Sequence, residues 1–257
     1  MIFTSKRRGR GGTQPSSPVP AEGADTGADA GDPDAISVTA RWMVLTTSVG
    51  HGFARALLPD SFEVSGRPQL AVWMVEPMSA TSDAVGVPVG RMFAGMSCSG
   101  LLRGESTESA FTSDLLVGAP IVDTDRDPFA LPALAQSSLR LVNGVGGMGF
   151  SITPVDGGGR GVVGRVELDG EEGGAEQLTP DWLADQWWRP DLVGGGTVGG
   201  VGELVRTRWD VTRLSPVVTG RAVVECADFG EHSYDLSGSS SLAARYGFAR
   251  VSIAGRP

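Results

Sequence analysis

Lysine is nearly missing: among 257 residues there is one, Lys6. Arginine carries the remaining positive charge, so beyond position 6 no side-chain amine exists to form a Schiff base with a carbonyl substrate. Cysteine is also scarce. Cys98 and Cys226 form neither a Cys-x-x-Cys nor a disulfide framework, which fits a reducing cytoplasm and leaves one bridge between them open. His51 and His232 stand in no zinc-type spacing, so neither a metal nor a cofactor is expected. No apolar run is long enough to cross a membrane, and the basic cluster at Lys6-Arg7-Arg8 is followed by no apolar core of an export signal. With a formal net charge of −9 there is little basic surface to neutralise phosphates, which argues against nucleic acid as a partner.

What remains is rich in glycine and in apolar residues. The chain is 40% hydrophobic with Gly 38 and Pro 16, a composition of turns and bulges rather than long helices. Residues 1–36 read as a disordered tail with almost nothing to bury, and 37–257 as a single mainly β domain. The organising stretch is GTVGGVGELVRTRWDVTRLSPVVTGRAVVECADF, residues 196–229. Val201, Glu203, Val205, Thr207 and Trp209 alternate onto one face of a strand, and Arg206 and Arg208 onto the other.

Elsewhere, Ser37–Thr47 is strand-like, and Val49–Leu58 reads as a short helix stopped by Pro59. In the strand from Pro68 to Glu76, Leu70, Val72, Met74 and Glu76 point one way and Ala71, Trp73 and Val75 the other. Val87–Leu102 predicts a long strand or a bent pair, and Thr107–Val122 is ambiguous with room for another. Short helices are expected over 128–136, after Asp127-Pro128, and over Trp182–Trp188, after Thr179-Pro180-Asp181. Ser138–Val155 and Gly161–Leu168 read as strands joined by a glycine-rich turn. Ser239–Arg245 has a helical look, and Ala249–Ala254 reads as a last strand.

Several motifs fail on context. Gly144-Val-Gly-Gly-Met-Gly149 matches GxGxxG, but strand and turn follow where a dinucleotide site needs a helix, so a bulged or twisted strand is the better reading. Ser97 and Ser99 lie in a Gly-Met-Ser-Cys-Ser-Gly run that misses GxSxG; a hydrolase triad would have to recruit His51 or His232. Trp182, Trp187 and Trp188 suit a helix packed on a barrel better than a ligand platform.

Polar residues on apolar strand faces say more. Glu76 follows Leu70, Val72 and Met74; Arg91 accompanies Val87, Val89 and Phe93; Asn143 accompanies Leu139, Leu141 and Val145; Glu203 sits between Val201 and Val205. A buried charge without a partner costs several kcal/mol, so these groups must pair, face a wet cavity or lie at strand ends. Arg91 paired with Glu76 or Glu203 would satisfy the charges; strand-end exposure or an architectural ion pair is the plain alternative.

The region from about residue 40 to 235 resembles the acetoacetate decarboxylase family. Ala54–Pro77 (ARALLPDSFEVSGRPQLAVWMVEP) looks like that family's helix, Leu-Pro corner and following strand, and GGVGELVRTRWDVTRLSPVV like its Gly-x-Gly-x-Leu strand running into a Leu-Pro-Val segment. The resemblance implies an antiparallel, barrel- or cone-like sheet around an apolar cavity. It also shows two departures. Where the family carries Pro-Lys-Lys and its Schiff-base lysine, residues 134–145 hold no lysine; where it carries Tyr-x-Glu, this chain reads Val89-Gly90-Arg91. Family catalytic residues therefore do not carry over.

The expectation is a lysine-independent cyclase or lyase of small-molecule, secondary or polyketide-type metabolism such as antibiotic biosynthesis. Glu203, Glu76 and Arg91 would be its catalytic groups, and Asn143, Met74, Phe93, Trp209 and Val205 would line a site for a small apolar substrate. A non-catalytic carrier of an apolar ligand and a serine hydrolase are the alternatives, and homo-oligomerisation stays open.

Overall fold

A computed structural model describes residues 36–80, 92–118, 135–154, 161–173, 177–188, 204–229, 232–233 and 242–254, all within one unit, Asp32–Pro257. The thirteen strands among the described residues are β1 (Ile36–Ser48), β2 (Phe62–Glu63), β3 (Gln69–Ala80), β4 (Phe93–Leu102), β5 (Glu108–Gly118), β6 (Ala135–Gly144), β7 (Gly147–Pro154), β8 (Gly161–Gly173), β9 (Asp185–Trp188), β10 (Val205–Arg213), β11 (Val217–Phe229), β12 (His232–Ser233) and β13 (Leu242–Ala254). Helix α1 (His51–Leu57) ends where expected, with Leu58 already extended before Pro59.

The strands form one sheet that forks twice. Along one edge β13 pairs with β1; along its other edge Leu242–Tyr246 pair with β11, while Ala249–Ala254 pair with β10. On β5 the edge away from β4 divides likewise: Ala110–Phe111 pair with β9, and Leu116–Gly118 with β6. The two β5 branches are its parallel pairs; the other described ladders are antiparallel. One branch closes a barrel of seven strands, β5-β9-β10-β13-β1-β3-β4. The other, β11-β8-β7-β6, arches from β13 back to β5 and encloses a second interior. Strands β5, β4, β3, β1 and β13 are the wall between them.

This explains why the wall strands are apolar on both faces rather than alternating, as sheets covered on both sides are. Leu70, Val72 and Met74 belong to the larger core with Met43, Met96, Leu141 and Phe150, while Ala71, Trp73 and Val75 belong to the barrel core with Trp42, Trp188 and Trp209. The two-way division expected for β3 is thus observed. In the barrel, Trp209 packs edge-on against Trp42 at 5.4 Å and Trp73 at 4.9 Å between ring centres, a favoured aromatic geometry. On β10, Thr207 and Trp209 are buried and Arg206 and Arg208 exposed, as the alternation predicts.

Three elements differ from expectation. Ser138–Val155 is not one strand but the β6–β7 hairpin, and the GxGxxG run is its turn; Gly146, at φ 73°, supplies a backbone conformation a side chain would resist. Residues 182–188 are not a helix: a 3-10 turn at Asp181–Ala184 hands over to β9, because β9 gains ladders on both sides, to β5 and β10. Ser239–Arg245 is not helical where it is described, since β13 runs unbroken from Leu242 between β1 and β11. The helix expected over 128–136 falls mostly outside the described residues, and β6 has already begun at Ala135. Among the described residues no helix is long and apolar enough to cross a membrane.

Candidate functional site

On the wall face that looks into the larger interior, two charges stand beside each other. Arg41 and Glu76 are cross-strand partners on β1 and β3, and their side chains form an ion pair. Arg41 shares its face with Met43 and Leu45, and Glu76 shares its face with Met74 and Val72. The side chains are 16% and 24% exposed, near the end of the wall where Met78 emerges into solvent. Arg41 also donates through NH2 to the Leu141 carbonyl on β6, 3.2 Å away and a hundred positions along the chain. The guanidinium thus bridges from the wall to the arch. Its Nε is buried and has no hydrogen-bond partner among the described residues.

The residues singled out from the sequence are distributed as follows. Glu76 faces the larger interior; its partner is Arg41, and not Arg91 as the sequence suggests. Arg91 and Glu203 lie outside the described residues. Met74 is fully buried in the same core as Leu141 and Met148. Phe93 and Trp209 are buried on the opposite side of the wall, in the barrel core, so they do not share an interior with Met74 or Glu76. For Val205 the backbone alone is described, opposite Trp188. Asn143 has the parity of Leu139 and Leu141, yet it is exposed, because β6 runs past the edge of the core into the hairpin turn.

A second polar set is buried in the barrel wall. The Trp73 indole donates to Ser97 Oγ at 2.9 Å, Ser97 Oγ meets Thr112 Oγ1 at 2.9 Å, and Thr112 Oγ1 donates to Gln186 Oε1 at 3.0 Å. Gln186 Nε2 in turn donates to the Leu183 carbonyl, 3.1 Å away. Ser99 Oγ accepts the Gln69 backbone N–H at 2.9 Å. Both serines are fully buried, among the described residues their hydrogen bonds go to these groups and to no histidine, and His51 is exposed on α1. These hydroxyls tie β3, β4, β5 and β9 together. Cys98 carries a free thiol that burial pushes up to about 12 from 9.0, far from the thiolate a nucleophile needs. On the barrel's outside, Arg206 holds Asp185 through two bonds of 2.8 and 2.7 Å and lies 5.1 Å over the Trp187 ring; the Asp185 hydrogen bond raises its pKa further.

Arg41 was the residue the sequence concealed. It lies in an otherwise apolar run, Ala40–Leu45, and an arginine there is a signal of the same kind as Glu76. The buried hydroxyls carry no such signal, since Ser and Thr are unremarkable in strands.

No protein-family model and no curated protein matches the chain. Solved structures do. Acetoacetate decarboxylase from Legionella pneumophila superposes with a TM-score of 0.61 at 12% identity, over 85% of this chain and 84% of that one. An acetoacetate decarboxylase-like enzyme from Sphingomonas wittichii RW1 gives 0.59 at 14%, over 87% and 92%. The enduracididine biosynthesis enzyme MppR, complexed with the condensation product of pyruvate and imidazole 4-carboxaldehyde, gives 0.56 at 15%, over 88% and 89%. With 84–92% of each chain covered, the forked sheet of this chain is the acetoacetate decarboxylase-like fold.

Proposed function

We propose that this chain is an enzyme of small-molecule metabolism that acts on a carbonyl-bearing, largely apolar substrate in the larger interior, without attaching it to a lysine. The observation that carries the reading is the Arg41–Glu76 pair, two partly exposed charges beside methionine and leucine side chains. A half-buried pair of this kind is weak support for stability on its own. It makes better sense as chemistry. A guanidinium stays charged and offers planar donors to a carbonyl oxygen on which negative charge develops, and a carboxylate beside it can take or return a proton at the adjacent carbon. Met43, Met74, Met96 and Met148 are buried in this core, and their flexible side chains would have to shift to admit the rest of the substrate. Ring closure and bond cleavage next to a carbonyl both need these two roles, which places cyclase and lyase chemistry first. The fold likeness to MppR and to acetoacetate decarboxylases supports keto compounds as the substrate class by analogy.

The test is single-turnover conversion of a panel of β-keto acids and unsaturated keto compounds. Arg41→Ala and Glu76→Gln should each lower the rate by about 10²-fold or more, while exposed Arg208→Ala changes it less than about twofold. Borohydride added with substrate should leave no adduct within residues 36–254. Tight binding without product would favour a carrier, and equal rates in all variants would remove Arg41 and Glu76 from the chemistry.

A further inference from the structure

The arch is tied to the wall unequally at its two ends. At one end Val218–Ala222 of β11 pair with Leu242–Tyr246 of β13, and β8 pairs with β11 along most of its length. At the other end β6 meets β5 through Leu116–Gly118 and Ala135–Ser137 alone, in the parallel arrangement, which is slightly weaker per residue. Beyond Ser137, β6 has a ladder on the β7 side alone among the described residues, and its other edge carries no strand there. The β6–β7 hairpin is also rich in glycine, at positions 144, 146, 147 and 149, and glycine weakens a strand interior. Leu141 lies in this loosely tied stretch. One guanidinium nitrogen of Arg41, Nη2, makes both the ion pair with Glu76 on β3 and the hydrogen bond to the Leu141 carbonyl on β6. Met43, Met74, Met96 and Met148 are buried in the interior behind the pair, so a substrate reaches them when the cover moves.

We propose that the β6–β7 hairpin is a flap through which substrate enters the larger interior, and that Arg41 is the latch that holds it shut. The substrate half of this rests on the reading that a carbonyl compound is bound there; the latch does not. The hairpin is the part of the cover that lifts, because the β5–β6 pairs end at Ser137 and bending along the β7–β8 ladder breaks no pair of the seven-stranded barrel. Arg41 is an effective latch because hydrogen bonds from a charged donor are stronger than neutral ones, and because Leu141 lies beyond the last β5 pair, where the strand has the most freedom. The latch also couples entry to chemistry. The nitrogen that holds Leu141 is one a substrate carbonyl would draw on, so an arriving substrate competes with the Leu141 carbonyl for it. Binding then loosens the flap, and loss of product lets it close. Opening is a local fluctuation of the native state, of the kind hydrogen exchange detects.

Hydrogen–deuterium exchange of the full chain, read peptide by peptide in the mass spectrometer, tests the latch with no substrate present. Arg41→Ala should speed exchange over residues 138–152 by about 10- to 100-fold, the worth of one hydrogen bond to a charged group, while β3 and β11 change less than about threefold. Glu76→Gln keeps the Leu141 bond and should leave the hairpin within about threefold of the wild type. Gly149→Val stiffens the flap without touching the pair, since a Cβ there meets nothing within 4 Å and valine favours a strand. It should slow hairpin exchange and lower the single-turnover rate at subsaturating β-keto acid, with the rate at saturation unchanged, because only the open fraction admits substrate. Unaltered hairpin exchange in Arg41→Ala, or an equal rise in β3 and β11, would overturn the latch. A Gly149→Val protein with a protected hairpin and undiminished subsaturating turnover would overturn the flap as the way in. Latch exchange as expected with no keto compound converted would sink the carbonyl reading and uphold the latch.

Discussion

Trp73 shows how one side chain is held from several sides. Its ring lies against Gly95, where any Cβ would run into the indole, and its N–H ends on Ser97 Oγ. Ser97→Ala removes the acceptor from a buried donor and a partner from Thr112, so we expect a loss of roughly 1–3 kcal/mol in chemical denaturation with the native fold retained. Cys98 gives a pH signature. Its thiol is held neutral in the folded state, with a pKa of about 12 against 9.0, so unfolding releases a proton at alkaline pH. The stabilisation is complete below about pH 9 and is lost as pH rises towards about 12. In a Cys226→Ser background, the native protein should resist a thiol reagent at pH 8 and react once unfolded. Cys98→Ala should flatten the fall in stability above pH 9. Fast labelling of the native state would show that the thiol is accessible after all.

At the scale of elements, β4 is the strand with least freedom, since every residue from Phe93 to Gly100 is buried. Gly95→Ala should cost roughly 2–3 kcal/mol, about 4–12 °C in Tm, because the wall has interiors on both sides and nowhere to shift. A scan showing no change would mean that the Trp73 ring moves aside freely. The β-character of these strands was legible from the residues: Leu70–Val75 sorted correctly onto two faces, and so did Arg206–Trp209. The strand β9 was not. Asp181–Trp188 carries a good helix start, yet four of its residues are extended because β5 and β10 offer backbone partners on both sides. Long-range pairing of this sort overrides local propensity and leaves no mark in the local sequence.

For the whole molecule, the shared wall couples the two interiors. Removing either branch would expose one face of β1, β3 and β4, so the barrel and the arch should unfold together. Five tryptophans, Trp42, Trp73, Trp182, Trp188 and Trp209, report on the barrel core, whereas far-ultraviolet circular dichroism reports on all strands. The two denaturation curves should coincide; a separate early transition by circular dichroism would mean that the arch opens independently.

The sequence by itself determined the chemistry that is unavailable and the class of the fold. One lysine at position 6 removes amine catalysis from the folded region, and apolar alternation with abundant glycine specifies β-strands, since these depend on the residues alone. It also exposed Glu76 as a charge on an apolar face. Only the tertiary structure decided that charge's partner. Arg41 meets Glu76 because β1 and β3 pair in one register, and it reaches Leu141 because the sheet forks at β5 and β13 and the arch returns over the wall. The same forks set Met74 on one side of the wall and Phe93 and Trp209 on the other. Period-two patterning fixes which residues share a strand face, but which interior that face looks into is settled by pairings between residues far apart in the chain.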